Sequence, residues 1–530
     1  MGPHLSGGGI TAFPLLAEAS ALTTAGKFEQ AARVTMDHLR RHPDEPRGLA
    51  QLGAIAMQLG ALGQAEHFLR LALRHGPLDR DVRRNLASTL NQQERLAEAR
   101  TLFEALLAEQ DDPMMRAILA GILDKLGQTD AALEMRQQLV AEAPDNPYYQ
   151  IALGHSLRAA GRVDEAIAAY RAAARVDFEC GEAWWGLASI KSRVLTDDDI
   201  AEMRRGLAIA IDVRNSAPTH FALARALHDR GEYASAFEHY SIGNRERADS
   251  IGYDARELTA EVDEVIKSVD AAFVSRLPQS DSADDVPVFV VSLPRSGSTL
   301  LEQMLGSHAD IEPTGELPYI PAMLRSVMEL ATRRGPVTVP QLVAAMSDQQ
   351  ATSLGQEYLR RAKWHRKSDC SYFVDKLPHN WSNILFIRKI LPQARFIDIR
   401  RPALDCCFSN FTQSFSSAHA SSFVLEDIAR CYVDYTHMLG HLAAVAPGMV
   451  HPIAYDRLIS DPETELRAAL AYLGLPWDPA VLGFHKLDRV VRTPSSEQVR
   501  RPLNRDGVDV WKPYEAWLGP LKSALGDLAA

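Results

Sequence analysis

The sequence is poor in cysteine and has no excess of positive charge. Five of its 530 residues are cysteine and no Cys-x-x-Cys occurs, which argues against a disulfide framework and against a zinc site. Cys406 and Cys407 are therefore predicted to be reduced thiols, at least one of them packed in a core. The formal net charge is −11, which argues against a nucleic-acid-binding protein. Any anion site must then be built from a few local Arg and Lys side chains.

Long apolar runs are also missing. No stretch reaches the ~18 apolar residues that a membrane-spanning helix needs. The opening "MGPHLSGGGITAFPLL" has no basic start followed by a long apolar segment. We therefore expect a cytoplasmic protein that does not bind a membrane.

The first half of the sequence contains a repeat. Turn-like contexts recur every 33 or 34 residues, at Gly26, Gly60, Glu94, Gly127 and Gly161. A small residue stands five positions after each of them, at Ala31, Ala65, Ala99, Ala132 and Ala166. Another stands seven positions before the last four, at Gly53, Ala87, Ala120 and Gly154. The pattern predicts helix–turn–helix units in which small residues let paired helices approach closely and neighbouring units stack.

The repeat resembles the tetratricopeptide repeat, and the resemblance covers residues 14–246. A late unit keeps the pattern around Gly231, whereas the unit that contains Trp184 and Trp185 has no turn glycine. We interpret these two rings as core or groove packing rather than as a ligand site. Residues 247–285 are expected to form a connecting helix and a polar linker.

The second half has a different pattern. Short apolar runs begin at Val288, Tyr372, Arg395 and Met449, with helical patterns between them. This alternation predicts βαβ units and a parallel sheet with helices on both faces. Ligands of such sheets bind at the carboxyl ends of the strands. Following the predicted strands, the sequence has these candidate residues: the segment 295–299, Lys376, Arg400, Arg401 and Tyr455.

The first predicted strand leads into "LPRSGST", residues 293–299. Backbone N–H groups of such a turn can converge on an anion at a helix N-terminus, and Arg295 adds a forked, permanently charged donor. Ser409 follows Arg401 by eight residues, which is about two helical turns. A last cationic cluster, which forms either a binding site or a solvated surface, comprises Arg492, Ser495, Arg500, Arg501 and Arg505.

The second half resembles the sulfotransferases that use 3′-phosphoadenosine 5′-phosphosulfate (PAPS), most of all the branch similar to tyrosylprotein sulfotransferases. Seven motifs stand in that order and rough spacing: "PRSGSTLLEQMLGSH", "TGE", "DKLPHNW", "RRPALDCCFS", "YDRLISDPE", "LGLPW" and "RTPSSEQVRRP". The resemblance covers residues 286–525. It implies an N-terminal all-α tetratricopeptide-repeat solenoid followed by an α/β P-loop-like sulfotransferase domain with a parallel sheet. PAPS is then the sulfuryl donor, and no metal is expected.

The resemblance also implies a role for individual residues. Lys376 would lie near the bridging oxygen of PAPS, where charge grows as the leaving group departs. Arg401 and Ser409 would hold the 3′-phosphate, and Arg400 is the alternative because it keeps the spacing to Pro402. The cradle of the 5′-phosphosulfate is assigned to Arg295, Ser296, Gly297, Ser298 and Thr299. The remaining nucleotide contacts are assigned to Tyr455, Ser495 and Arg500.

The acceptor must lose a proton during transfer, since a phenol has a pKa near 10. Glu316 resembles the base of the tyrosylprotein enzymes and is assigned to catalysis with Lys376 and Arg295. His308 is the rival base. The expected acceptor is tyrosine of a protein or peptide that the repeats select without taking part in the chemistry. A carbohydrate or small-molecule acceptor remains the first alternative. An inactive, nucleotide-binding scaffold remains the second, although Glu316 and Lys376 argue against it.

Overall fold

Helices fill the first half of the chain. The structure, a computed structural model, describes residues 13–76, 79–190, 193–209, 212–280, 282, 284–486 and 498–529. Its first helices are α1 (Pro14–Thr24), α2 (Phe28–Arg41), α3 (Pro46–Gln58), α4 (Leu62–His75), α5 (Arg80–Gln92), α6 (Leu96–Glu109), α7 (Pro113–Lys125), α8 (Thr129–Glu142), α9 (Pro147–Ala159), α10 (Val163–Val176), α11 (Gly181–Ala188), α12 (Asp197–Ile209), α13 (Val213–Asp229), α14 (Tyr233–Ile251), α15 (Ala255–Ser268) and α16 (Ala271–Ser275). Within the described ranges, no helix combines the length and the apolar character needed to cross a membrane.

The turns between paired helices explain the repeat period. Glycine accepts a positive φ without steric cost, and four of the five turn positions are glycines with φ between 71° and 80°: Gly26, Gly60, Gly127 and Gly161. Glu94 takes φ 56° at the matching turn between α5 and α6, so the third unit keeps the same backbone path without a glycine. The predicted helix–turn–helix repeat is confirmed.

Small residues lie where the paired helices approach most closely. The repeat alanines are all fully buried: Ala31, Ala65, Ala99, Ala132 and Ala166. A Cβ atom on Gly53 would lie 2.7 Å from Cγ of Leu69, and one on Gly154 would lie 2.6 Å from Cε1 of Tyr170. A larger side chain at either glycine would push the two helices apart, which explains why small residues recur at these positions of the repeat.

The second half forms a parallel sheet. Its strands are β1 (Val286–Val291), β2 (Ile311–Gly315), β3 (Tyr372–Asp375), β4 (Arg395–Arg400) and β5 (Val450–Ala454). The strand order is β2-β3-β1-β4-β5, and every pair is parallel. This confirms the predicted fold class, although β2 was not predicted. The helices are α17 (Ser298–Leu305), α18 (Tyr319–Ala331), α19 (Val339–Ala345), α20 (Asp348–Ala362), α21 (Ile384–Ile390), α22 (Ala403–Phe411), α23 (Leu425–Val445), α24 (Tyr455–Ser460), α25 (Pro462–Leu473) and α26 (Gly519–Leu525).

Both faces of the sheet are covered by helices. Successive residues of a strand point to opposite faces. Val288 of β1 therefore packs in a core that includes Leu301 of α17. Phe289 turns the other way, stacks on Phe396 of β4 with ring centroids 5.7 Å apart, and contacts Tyr358 of α20. The doubly covered sheet leaves its carboxyl edge as the place where polar side chains can gather.

The chain divides into two compact units. One is drawn from Met1–Leu139 and Pro321–Val337, the other from Val140–Ile320 and Thr338–Ala530. In the first, the Glu329 carboxylate of α18 accepts a hydrogen bond from the backbone N–H of Gly63 (3.1 Å). In the second, the later repeat helices belong to the same unit as the sheet. The sequence-based bounds 14–246, 247–285 and 286–525 follow the repeat pattern rather than compactness, and they stay a prediction.

Candidate active site

The register of the sheet places the candidate residues side by side at its carboxyl edge. Gly315 at the end of β2 pairs with Asp375 at the end of β3, so Glu316 and Lys376 follow neighbouring strands. Arg400 at the end of β4 pairs with Ala454 at the end of β5, so Arg401 and Tyr455 are neighbours in the same way. β1 runs between β3 and β4, and its loop therefore separates these two pairs.

The loop after β1 has the backbone of a tight anion-binding turn. Arg295 has φ 66° and Gly297 has φ 95°, and the helix α17 begins directly afterwards at Ser298. A Cβ atom on Gly297 would lie 2.4 Å from Cδ2 of Tyr455, so only glycine fits between the loop and that ring. Buried Ser296 lies over Cys406, with 3.4 Å between Oγ and Sγ.

Two arginines meet on the β4 side of this loop. Arg295 donates from Nε to Oγ of Ser409 (3.3 Å), and buried Arg401 donates to the carbonyl oxygen of Arg295 (2.8 Å). Arg401 also forms an ion pair with Asp405 (3.7 Å) and lies 5.5 Å from the centre of the Tyr455 ring. Burial, followed by the positive charge of Arg401, lowers the pKa of Arg295 to about 10. The Arg295 guanidinium is therefore still charged at neutral pH in a desolvated position, which favours an anionic ligand.

Arg400 lies apart from this cluster. Its guanidinium donates to Asp398 (3.0 Å) and stands 5.4 Å from the centre of the Tyr435 ring. Arg400 and Asp398 are two residues apart on β4, so they share one face of the strand. The structure thus brings Arg401, and not Arg400, together with Arg295, Ser409 and Tyr455.

Glu316 and Lys376 form an ion pair at the other end of the edge. The Lys376 side chain is 1% exposed, whereas 43% of the Glu316 side chain is open to solvent. Burial alone would lower the pKa of Lys376, but the carboxylates of Glu316 and Glu302 outweigh burial and raise the pKa above its ordinary value. Lys376 is therefore a positive charge at the site and not a base, and Glu316 is the accessible carboxylate.

Two buried carboxyl groups hold this pair in place. Oε1 of Glu302, on α17, accepts the backbone N–H of Gly315 (2.9 Å), directly before Glu316. Oδ1 of Asp375 accepts the N–H of Leu317 (3.3 Å) on its other side. Burial, with the nearby charges of Glu302 and Glu316, raises the pKa of Asp375 to about 8. Neither carboxyl group was predicted from the sequence, although Asp375 stands next to the predicted Lys376.

Two other candidates contact other parts of the chain. His308 lies at the far end of α17, where its Nδ1 accepts the N–H of Asp310 and its Nε2 contacts the carbonyl of Pro476 (both 3.0 Å). The guanidinium carbon of Arg500 would lie 3.0 Å from a Cβ on Gly161, so Arg500 packs against a repeat turn. Ser495 lies outside the described residues.

Two recesses open around the β1 loop and share five lining residues: Arg295, Gly297, Tyr455, Arg501 and Gly507. The smaller one is lined by Ser298 and Thr299. The larger one has a volume of about 1350 Å³, open solvent included, and is lined by Arg401 and Ser409 together with residues of the repeat helices. Sequence reasoning missed that contribution. Trp185, interpreted above as packing, is one of these lining residues. The residues described in the structure contain no group of three His, Cys, Asp or Glu side chains arranged to hold a metal ion.

Known families match both halves of the chain. Residues 14–176 match the family model of the tetratricopeptide repeat, and residues 287–479 match that of the Sulfotransferase family. The first part of the chain is therefore similar to the tetratricopeptide repeat and the second part to the Sulfotransferase family.

Individual relatives are more distant. A protein of Aquifex aeolicus (strain VF5) named "Uncharacterized protein" is 32% identical over 332 residues, which are 62% of this chain and 44% of that protein. Protein-tyrosine sulfotransferase 1 of Danio rerio is 26% identical over 240 residues, which are 43% of this chain and 66% of that protein. The chain therefore spans less than two thirds of the length of these relatives. A solved sulfotransferase domain from the curacin biosynthetic pathway is 18% identical, with a TM-score of 0.31, over 47% of this chain and 98% of that one.

Proposed function

We propose that the protein transfers a sulfuryl group from PAPS to a hydroxyl group, with tyrosine of a protein or peptide as the acceptor. The observation that carries this proposal is that the carboxyl edge of the sheet holds two chemically different groups of side chains. A desolvated pair of arginines, Arg295 and Arg401, stands on one side of the β1 loop. A lysine–carboxylate pair, Lys376 and Glu316, stands on the other. An anion-binding half and a proton-accepting half are what hydroxyl sulfation requires.

The residues present fit the two anionic ends of this donor. The backbone turn of the β1 loop, with Ser298 and Thr299, suits the 5′-phosphosulfate. Arg401 and Ser409 suit the 3′-phosphate. Nε of Arg401 is buried and has no hydrogen-bond acceptor among the described residues, which leaves a donor for a ligand. When bound, PAPS supplies the sulfuryl group, which leaves its 5′-phosphate oxygen for the acceptor oxygen.

Glu316 and Lys376 act on the proton of the acceptor and on the charge of the leaving group. Glu316, which solvent can reach, accepts the proton that the acceptor hydroxyl loses as its oxygen bonds to sulfur. Lys376 donates to the oxygen that keeps the electron pair when the bond between sulfur and the 5′-phosphate breaks. His308 is a weaker candidate for the base because both of its ring nitrogens contact backbone groups.

Tyrosine as the acceptor is supported by the relatives and by the repeats. The Danio rerio relative is named a protein-tyrosine sulfotransferase. Tetratricopeptide arrays form extended concave surfaces that suit a peptide chain.

The test is sulfuryl transfer from radiolabelled PAPS by the purified full chain. Acidic peptides that contain one tyrosine are compared with the same peptides carrying phenylalanine, and with a polysaccharide and a small phenol. Label on the tyrosine peptide alone is the expected result. Label on the polysaccharide or phenol alone would change the acceptor class. No label on any acceptor, with the protein folded, would contradict the proposal.

A further inference from the structure

The larger recess has a wall that comes from the repeat half of the chain. Trp185 of α11, Arg225 and His228 of α13, and Tyr240 of α14 line it together with Arg401. All of these residues belong to the second compact unit. The repeat helices therefore form part of the cavity that contains the candidate donor-binding residues.

The repeat wall is fixed against the sheet side by polar contacts and stacked rings. Nδ2 of Asn244 on α14 donates to the carbonyl oxygen of Phe411 (2.9 Å), the last residue of α22. Nδ1 of His228 lies 2.8 Å from the hydroxyl oxygen of Tyr514. Because Ser409 stands two residues before Phe411 on the same helix, the contact from Asn244 holds the repeat wall next to Ser409.

Arg225 adds a further positive charge to a recess that already has several. Arg225, Arg295, Arg401 and Arg501 all line it. Arg225 pairs with Asp229 one helical turn away (3.1 Å), but its Nε is buried and has no acceptor in the part of the chain that the structure describes. The charge of Arg225 also reaches Arg295 and helps to lower the pKa of that guanidinium. Converging guanidiniums repel one another, and a bound anion removes that repulsion.

We infer that Arg225 binds the 3′-phosphate of the donor together with Arg401 and Ser409, so that the repeats complete the donor site. This inference rests on the proposed function. The 3′-phosphate is favoured over the 5′-phosphosulfate by the lining residues that the two recesses do not share. Arg225 lines the recess of Arg401 and Ser409, whereas Ser298 and Thr299, which suit the 5′ end, line the other. This inference differs from the sequence-based expectation that the repeats only select the acceptor, and the experiment below decides between the two.

The experiment compares two nucleotides in the full-length protein by calorimetry. 3′-Phosphoadenosine 5′-phosphate carries the group that Arg225 is inferred to hold, and adenosine 5′-monophosphate lacks it. Arg225→Gln should weaken binding of the first roughly 10- to 150-fold, the range for one lost charge-assisted hydrogen bond. It should leave binding of the second unchanged. Arg214→Gln is the matched control, because Arg214 lies on the same helix with 86% of its side chain exposed, and it should change neither affinity.

The other outcomes of this experiment distinguish failure of the inference from failure of the proposed function. Unchanged affinity of Arg225→Gln for both nucleotides would overturn the inference, and loss of affinity in Arg401→Gln would then still support the proposed function. Equal weakening for both nucleotides would show a general effect of charge or structure and would also overturn it. Failure of the wild-type protein to bind either nucleotide would refute the proposed function and this inference with it. If Arg225→Gln does not fold, Arg225→Met also removes the charge while keeping an unbranched side chain, and unchanged selectivity in that variant would contradict the contact.

Discussion

Replacing Lys376 by methionine separates the chemistry proposed for this site from the stability of the fold. Methionine keeps most of the side-chain volume of lysine and removes the ammonium group that faces Glu316. Removing one partner of a fully buried ion pair typically costs about 3–5 kcal/mol because it leaves an uncompensated charge. Here the remaining partner, Glu316, is 43% exposed and can turn toward water. We therefore expect Lys376→Met to reduce the free energy of unfolding by less than that range.

Lys376→Met should also lower turnover strongly. Lys376 is assigned to the oxygen on which charge develops, and removing one such donor lowers kcat by about 10²–10³, or about 2.7–4 kcal/mol of transition-state stabilisation. The affinity for 3′-phosphoadenosine 5′-phosphate should change far less, because its phosphates are assigned to the β1 loop and to Arg401. Turnover is measured by sulfuryl transfer from labelled PAPS, affinity by calorimetry and stability by urea denaturation.

Lys389→Met is the matched control. Lys389 of α21 is also a buried lysine, 10% exposed, and it pairs with Asp348, which is 96% exposed (3.2 Å). The same substitution there should change stability by a similar amount and leave turnover unchanged. Wild-type turnover in Lys376→Met would refute the assignment, and so would a loss of turnover that Lys389→Met reproduces.

Three further predictions concern the same edge of the sheet. Glu316→Gln keeps the size of the side chain and should lower turnover by about 10²–10⁴ with nucleotide affinity retained; a defect confined to affinity would contradict its role as the base. Arg401→Ala should reduce the preference of the protein for PAPS over adenosine 5′-phosphosulfate, measured by competition binding, whereas Arg400→Ala should not; the reverse result would reassign the 3′-phosphate. The folded protein keeps Asp375 protonated up to its pKa of about 8, whereas the unfolded chain loses that proton near pH ~3.9, so stability falls as pH rises between these values. Asp375→Asn should remove this fall in urea denaturation between about pH 5 and pH 8.5, and an unchanged pH profile would show that Asp375 is ionised in the folded state.

Four of the five strands could be predicted because each contains or adjoins a short group of apolar residues between helical patterns, but β2 could not. Its residues, "IEPTG", include a proline and end in a glycine, and they form the edge of the sheet next to β3. An edge strand needs less apolar surface and tolerates proline, so its sequence signal is weak. Because β2 was not predicted, the sequence did not show why Glu316 and Lys376 are neighbours. They are neighbours because the strands that precede them pair in register.

The choice between Arg400 and Arg401 was open from spacing, although strand geometry favours one answer. Residues two apart in a strand share a face, so Asp398 and Arg400 can pair on that face, as they do in the structure. Arg401 is then the first residue beyond the strand, where the chain turns toward the β1 loop. The position of the last strand residue, which sequence patterns locate poorly, decides which arginine reaches the β1 loop.

The contribution of Arg225 could not have been predicted from the repeat pattern. Arg225 follows Ala224, a fully buried residue of the repeat, and periodicity specifies only that buried position. Whether the neighbouring side chain meets water or a second domain depends on contacts between elements far apart in the sequence, such as that between Asn244 and Phe411. The tertiary signal is instead that Arg225 lines the same recess as Arg295, Arg401 and Arg501. Candidate residues that a second structural region contributes to a site are therefore found from charges that converge in the folded chain.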